Sequence, residues 1–113
     1  MTRSLFVLRS NAVEGREDEY NEWYDETHIP DVLAVPGFAS AQRYRLDDHP
    51  RNARAPFGYM VVYELDGDPA AALDALNAAM ADGSIALSDA LDTSRERRPE
   101  GFLYRAVGER VTS

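Results

Sequence analysis

Residues 57–65 read Phe-Gly-Tyr-Met-Val-Val-Tyr-Glu-Leu, an unbroken run of the residue types that favour an extended strand. Side chains alternate along a strand, so Tyr59, Val61, Tyr63 and Leu65 share one face while Met60 and Val62 take the other. Both faces are apolar. At roughly 25 cal/mol per Å² of apolar surface, leaving either face in water forfeits stability on the scale of a whole domain's. Such a strand belongs inside a sheet covered on both sides, and the remaining segments have to supply the covers.

Leu5 to Leu8 form a short apolar run ended by Arg9-Ser10-Asn11, too short for a helix and suited to a buried strand. From Arg16 to His28 the period is helical. Tyr20, Trp23, Tyr24 and Thr27 fall on one stripe, with Asp18, Glu19, Glu22, Asp25 and Glu26 opposite. The residue before a proline avoids the α region, so this helix is expected to end or kink at Ile29-Pro30, with one further turn over 31–35 before Pro36-Gly37. A second strand follows over Phe38–Leu46, its alternation setting Phe38, Ser40, Gln42, Tyr44 and Leu46 against Ala39, Ala41, Arg43 and Arg45. After a polar loop over 47–56 and the 57–65 strand, Asp68-Pro69 opens a helix through Ala81, with an apolar stripe of Leu73, Leu76, Ala79 and Met80, closed by Gly83. A short extra helix is expected within 84–94, then a solvated charge run over 95–99 and a last strand over Gly101–Val107.

The order strand, helix, strand, strand, helix, strand over a single domain, 1–113, describes an α+β ferredoxin-like βαββαβ plait: a four-stranded antiparallel sheet with both helices on one face. Two helices cover only one face of that sheet. The opposite face is also apolar, which points to a homodimer in which a second copy covers it, or else to cover from the 84–99 segment.

Composition excludes much chemistry. Twenty acidic against twelve basic residues give a net charge of −8, the wrong sign for nucleic acid. All twelve basic residues are Arg, so Schiff-base and P-loop lysine chemistry is absent. There is no Cys, and two His twenty-one positions apart make a poor metal cage, so neither metal nor other cofactor is expected. No apolar run reaches the roughly 20 residues of a membrane span, and Met1-Thr2-Arg3-Ser4 carries no cleavage-like segment; the expected location is the cytoplasm.

Residues 19–33, Glu-Tyr-Asn-Glu-Trp-Tyr-Asp-Glu-Thr-His-Ile-Pro-Asp-Val-Leu, and Val35-Pro36-Gly37-Phe38 resemble the EthD-like branch of the dimeric α/β-barrel superfamily, whose first helix ends in Trp-Tyr-Asp-x-x-His-x-Pro. The resemblance implies dimerisation into an α/β barrel and, in each subunit, a cavity between sheet and helices for small apolar or aromatic molecules. Relatives include cofactor-free monooxygenases, polyketide cyclases, isomerases, lyases and haem-degrading enzymes, and a shared fold does not choose among them. The position matching the family's helix-end histidine is His28.

Imidazole titrates near neutrality, so His28 suits a catalytic acid/base; the alternative is a helix cap that satisfies terminal carbonyls. Asp25 is a candidate for orienting its ring, although its helical angle favours solvent, and Asn21 is a polar neighbour read as hydrated. Trp23, Tyr24, Phe38, Tyr44, Tyr59 and Tyr63 are candidate substrate-binding walls; Tyr44, Tyr59, Tyr63 and Tyr104, in strands, carry hydroxyls able to donate to a developing oxyanion, and core or interface roles compete at each tyrosine. Arg43 and Arg45 suit pairing with the abundant carboxylates. His49, in Asp47-Asp48-His49-Pro50, is expected in solvent, and the acids of the first helix form a solvated face. The function expected is a cofactor-independent enzyme acting on a small aromatic or polyketide-like carbonyl compound by His28-mediated proton transfer, of cyclase, dehydratase, isomerase or lyase type. The alternatives are a non-catalytic binding or accessory protein, and a cofactor-free monooxygenase. A haem-handling variant would need His28 as its axial ligand.

Overall fold

One antiparallel sheet in the order β2-β3-β1-β4 carries the molecule. Its strands are β1 (Ser4–Ser10), β2 (Phe38–Arg45), β3 (Tyr59–Leu65) and β4 (Glu100–Arg105). The computed structural model describes residues 3–113; Met1 and Thr2, part of the stretch read for a leader, lie outside it. The two most apolar strands occupy the centre, β1 lying between β3 and β4. Helices join β1 to β2 and β3 to β4, which is the expected α+β ferredoxin-like plait.

The register assigns the two faces. Opposite pairs share a side, so Phe6 with Tyr63, Leu8 with Val61 and Ser10 with Tyr59 face the helices. Leu5, Val7, Met60, Val62, Phe102 and Tyr104 face away, and of these Phe102 and Tyr104 are about half exposed, at 52% and 49%. Parity fails once. A bulge between Phe38 and Ser40 shifts the ladder, so that Phe38, Ala41, Arg43 and Arg45 oppose Leu65, Tyr63, Val61 and Tyr59 on the helix side. The expected grouping of Phe38 with Ser40, Gln42 and Tyr44 is corrected by that inserted residue.

The first helix corrects a second expectation. It runs unbroken through Pro30 as α1 (Glu17–Trp23), a π-turn (Tyr24–His28) and α2 (Ile29–Leu33). A proline removes one N–H and crowds the carbonyl four residues before it, here that of Glu26. The wider turn relieves that crowding, with Ile29 N–H donating to the Tyr24 carbonyl five residues back. Four-residue steps on a regular α-helix drift by about 40° each. The π-turn opposes that drift and keeps Tyr20, Tyr24, His28 and Val32 all buried against the sheet, while Thr27, expected on the stripe, is exposed.

α3 (Pro69–Ala81) forms as its residues require, with Asp68 Oδ1 accepting from Ala70 N–H at 3.0 Å and Gly83 at φ +84° beyond its end. The short helix expected within 84–94 is absent. Ser88 Oγ and Asp92 Oδ1 take the backbone N–H groups of Ala90 and Ser94, local bonds that compete with helix formation. The segment is instead pinned by backbone bonds from Val13 N to Ala90 O (2.7 Å) and Asp92 N to Asn11 O (2.9 Å), with Ile85, Ala90 and Leu91 buried beneath it. Among the described residues no helix is long and apolar enough to cross a membrane.

Gly37 turns the chain from α2 into β2 at φ +97°, where an added Cβ would lie 2.7 Å from the Ala72 side chain on α3. Gly37→Ala therefore meets a left-handed backbone and a helix contact at once, and is expected to cost about 2–4 kcal/mol in urea unfolding. A loss below about 1 kcal/mol would show that the turn and α3 yield freely.

Candidate active site

The π-turn that passes Pro30 also turns His28 inward. Its side chain is 7% exposed, stacked on Trp23 (ring centroids 4.5 Å, 27° between planes) and edge-on to Tyr24 (5.2 Å, 88°). Nδ1 is fully buried and has no hydrogen-bond partner. Burial pulls the imidazole down to about 4, against the weaker opposing influence of Asp31, so it is neutral at physiological pH. The capping alternative fails because the helix continues to Leu33, leaving no terminal carbonyls at His28 to satisfy.

His28 opens on a chamber of about 100 Å³ between sheet and helices. Phe6 and Leu8 of β1 and Tyr63 of β3 form its floor; Tyr24, Val32, Leu76 and Met80 stand on the helices, and Leu87, Leu91 and Pro99 of the irregular segment close it. Apart from His28, the lining residues with a polar atom in the side chain are Tyr24 and Tyr63, and the Tyr24 hydroxyl is engaged by Ser10 and Tyr20. Burial raises both lining phenols above the ordinary tyrosine range, so each keeps its proton at neutral pH and can donate it.

A charged cluster adjoins this chamber through Tyr24. The Arg43 guanidinium lies 4.7 Å from the Tyr24 ring centroid, 5.6 Å from that of Tyr20 and 5.7 Å from that of Tyr59. It donates to Asp25 Oδ1 (2.9 Å) and Asn21 Oδ1 (2.6 Å). Asn21 Nδ2 in turn donates to the Glu17 carbonyl (2.9 Å) and the Tyr59 hydroxyl (3.2 Å). Tyr20 is sealed beneath, its hydroxyl 2.5 Å from Ser10 Oγ and its pKa raised by burial. The positive charge of Arg43 tempers the burial of all three inner tyrosines, 20, 24 and 63.

Of the candidate residues, His28, Tyr24 and Tyr63 meet around the chamber. Trp23 backs the imidazole and Phe38 packs edge-on behind Tyr63 (5.5 Å, 89°), both outside the lining. Tyr59 stands with Arg43, while Tyr44 and Tyr104, each 49% exposed, face away from the helices. Asp25 does not orient His28, because its carboxylate is held by Arg43, and Asn21 is a clamp rather than a hydrated flank. Arg43 thus has the expected carboxylate partner but also an aromatic nest that the sequence did not announce. His49 is exposed, its Nδ1 accepting from Arg51 N–H at 3.0 Å. Among the described residues no three His, Asp or Glu side chains gather as metal ligands.

The depressed imidazole ties stability to pH. Unfolded, the ring takes a proton near 6.5; folded, only near 4. Protons between those values favour the unfolded chain, so stability present above pH 6.5 is lost as pH falls towards 4, by roughly 3 kcal/mol. Unfolding free energies of the native chain and of His28→Gln, measured from pH 7 to 4, should diverge by that amount; parallel curves would put the ring in water.

No family model matches the sequence, and no curated protein matches it. Solved structures do. A candidate monooxygenase from Shewanella loihica PV-4 superposes with a TM-score of 0.62 at 17% identity, over 96% of this chain and 99% of that one. HapK from Hahella chejuensis gives 0.59 at 17% identity, covering 100% and 99%. An EthD family protein from Bacillus halodurans C-125 gives 0.53 at 19%, covering 98% and 100%. At such identities likeness speaks for fold and not for activity. The chain has the ferredoxin-like fold that these three structures share.

Proposed function

We propose that this chain is a cofactor-independent enzyme that moves a proton on a small aromatic or polyketide-like carbonyl compound, with His28 as the acid/base. The observation that carries the reading is the buried, unpartnered Nδ1 of a neutral imidazole in an apolar chamber lined also by Tyr24 and Tyr63. A base so depressed is weak towards water. Towards a bound substrate it is stronger, because removing the proton leaves an enolate or phenolate beside the new imidazolium. At about 4 Å and an effective dielectric near 20, that pair gains about 4 kcal/mol, enough to offset the roughly 3 kcal/mol that burial costs the cation. Tyr63 then donates to the developing oxyanion, with the Tyr24 ring as an apolar wall.

Returning the proton to another carbon isomerises the substrate, returning it to a leaving group dehydrates or cleaves it, and carbanion attack on a second carbonyl cyclises it. The same first step opens a cofactor-free oxygenation, in which the carbanion reacts with dioxygen; the Shewanella loihica protein is described as a candidate monooxygenase. An aromatic ring needs a cavity of about 150 Å³, more than the chamber offers, so Leu87 and Met80, both partly exposed, swing outward to admit it.

The working unit is a cytoplasmic homodimer. Leu5, Val7, Met60, Val62, Phe102 and Tyr104 form an apolar outer sheet face that the 84–99 segment does not cover, since that segment closes the chamber on the other side. A second copy supplies the cover at a gain of about 25 cal/mol per Å². Val62→Arg, at the centre of that face, should convert a dimer measured by light scattering into a monomer; a native chain that is already monomeric at micromolar concentration ends this part of the reading.

Exchange of an activated C–H proton into D₂O, followed by NMR on aromatic β-dicarbonyl probes, tests the chemistry. His28→Ala should slow exchange by about 10²–10⁴ while circular dichroism stays native. Probe binding without exchange, tolerant of that substitution, would leave a binding protein instead.

A further inference from the structure

A second recess, of about 330 Å³, opens at the β2 edge of the sheet, lined by Asn21, Asp25, Arg43, Tyr44, Arg45 and Tyr59, with Arg43 lying over the Tyr24 ring. The proton transfer described above makes no use of it. Two guanidinium groups stand there against one carboxylate, a local positive excess in a chain of net charge −8. Arg43 is committed to Asp25, Asn21 and its three rings, and its side chain is only 17% exposed. Arg45 is different. It is exposed at the recess, in register with Tyr59, and pairs with no carboxylate among the described residues. The Tyr59 hydroxyl already accepts from Asn21, which leaves its own proton to donate outward.

We propose that this recess binds an aromatic carboxylate, its carboxylate held by the Arg45 guanidinium and the Tyr59 hydroxyl and its ring lying against the Tyr59 ring. A planar guanidinium fork matches a carboxylate through two parallel bonds, and tyrosine rings offer a flat ring the offset or edge contacts it prefers. Asp25 at the same recess disfavours a doubly charged phosphate over a single carboxylate. Arg43, fixed in place by its partners, adds charge without needing to move. Because Arg43, Arg45 and Tyr59 lie on the helix side of the sheet, a second copy on the outer face leaves the recess open.

Benzoate and its neutral analogue benzamide, titrated into the intact chain and followed by NMR at Tyr59, test this directly. Benzoate should bind at least about tenfold more tightly than benzamide, and Arg45→Gln should remove that advantage, as the loss of a charge-assisted bond implies. Tyr59→Phe should weaken benzoate severalfold, and His28→Gln should leave it unchanged, which separates this site from the chamber. Equal affinity for the two probes, or benzoate binding that survives Arg45→Gln but is lost in His28→Gln, overturns the proposal.

Discussion

Pro30 offers the helix no N–H and no room for the carbonyl of Glu26, yet the helix does not stop there. The chain resolves this by widening a single turn, Tyr24 to His28, and almost everything of chemical interest follows from that turn. It holds Tyr20, Tyr24, His28 and Val32 on the sheet at four-residue steps, which a regular α-helix would rotate progressively away. Without it His28 would leave the shelter of the sheet, and its pKa would have no reason to fall.

The inward tyrosines then divide the space under the helix into two environments. On one side an apolar chamber depresses an imidazole and keeps two phenols protonated; on the other a guanidinium nests on three aromatic rings beside a carboxylate. Tyr24 belongs to both. Burial dominates in the chamber and Coulombic pairing in the recess: His28 sheds its charge, while Arg43 lies against its rings with Asp25 as its ion-pair partner. A bulge at Phe38–Ser40 makes the second environment possible, since it delivers Arg43 to the helix side rather than to the outer face.

The fold was largely legible in the residues. The strand expected over 57–65, the Asp68-Pro69 helix start and the Pro36-Gly37 turn each combine a local preference with a steric requirement, and the structure honours all three, the strand over Tyr59–Leu65. The misreadings share one cause. At Pro30, at the β2 bulge and over 84–94, the local preference competed with burial against residues distant in sequence, and periodicity contains no information about that contest. Of the site, His28 stood out because histidine is rare here and sits in a recognisable pattern. Leu87, Leu91 and Pro99 carried no signal, being ordinary apolar residues whose role depends on where an irregular segment comes to rest.

What the sequence determined alone was the set of elements and their order, because strand and helix preference, capping and turn formation act within a few residues and are written in residue type. It also determined the chemistry on offer: no thiol, no lysine, two imidazoles and many phenols. Which of those groups meet was decided only by tertiary structure. The pKa of His28, the partner of Asp25 and the rings around Arg43 all depend on burial and on distances between segments that lie far apart along the chain, and both arise only when the helices close over the sheet.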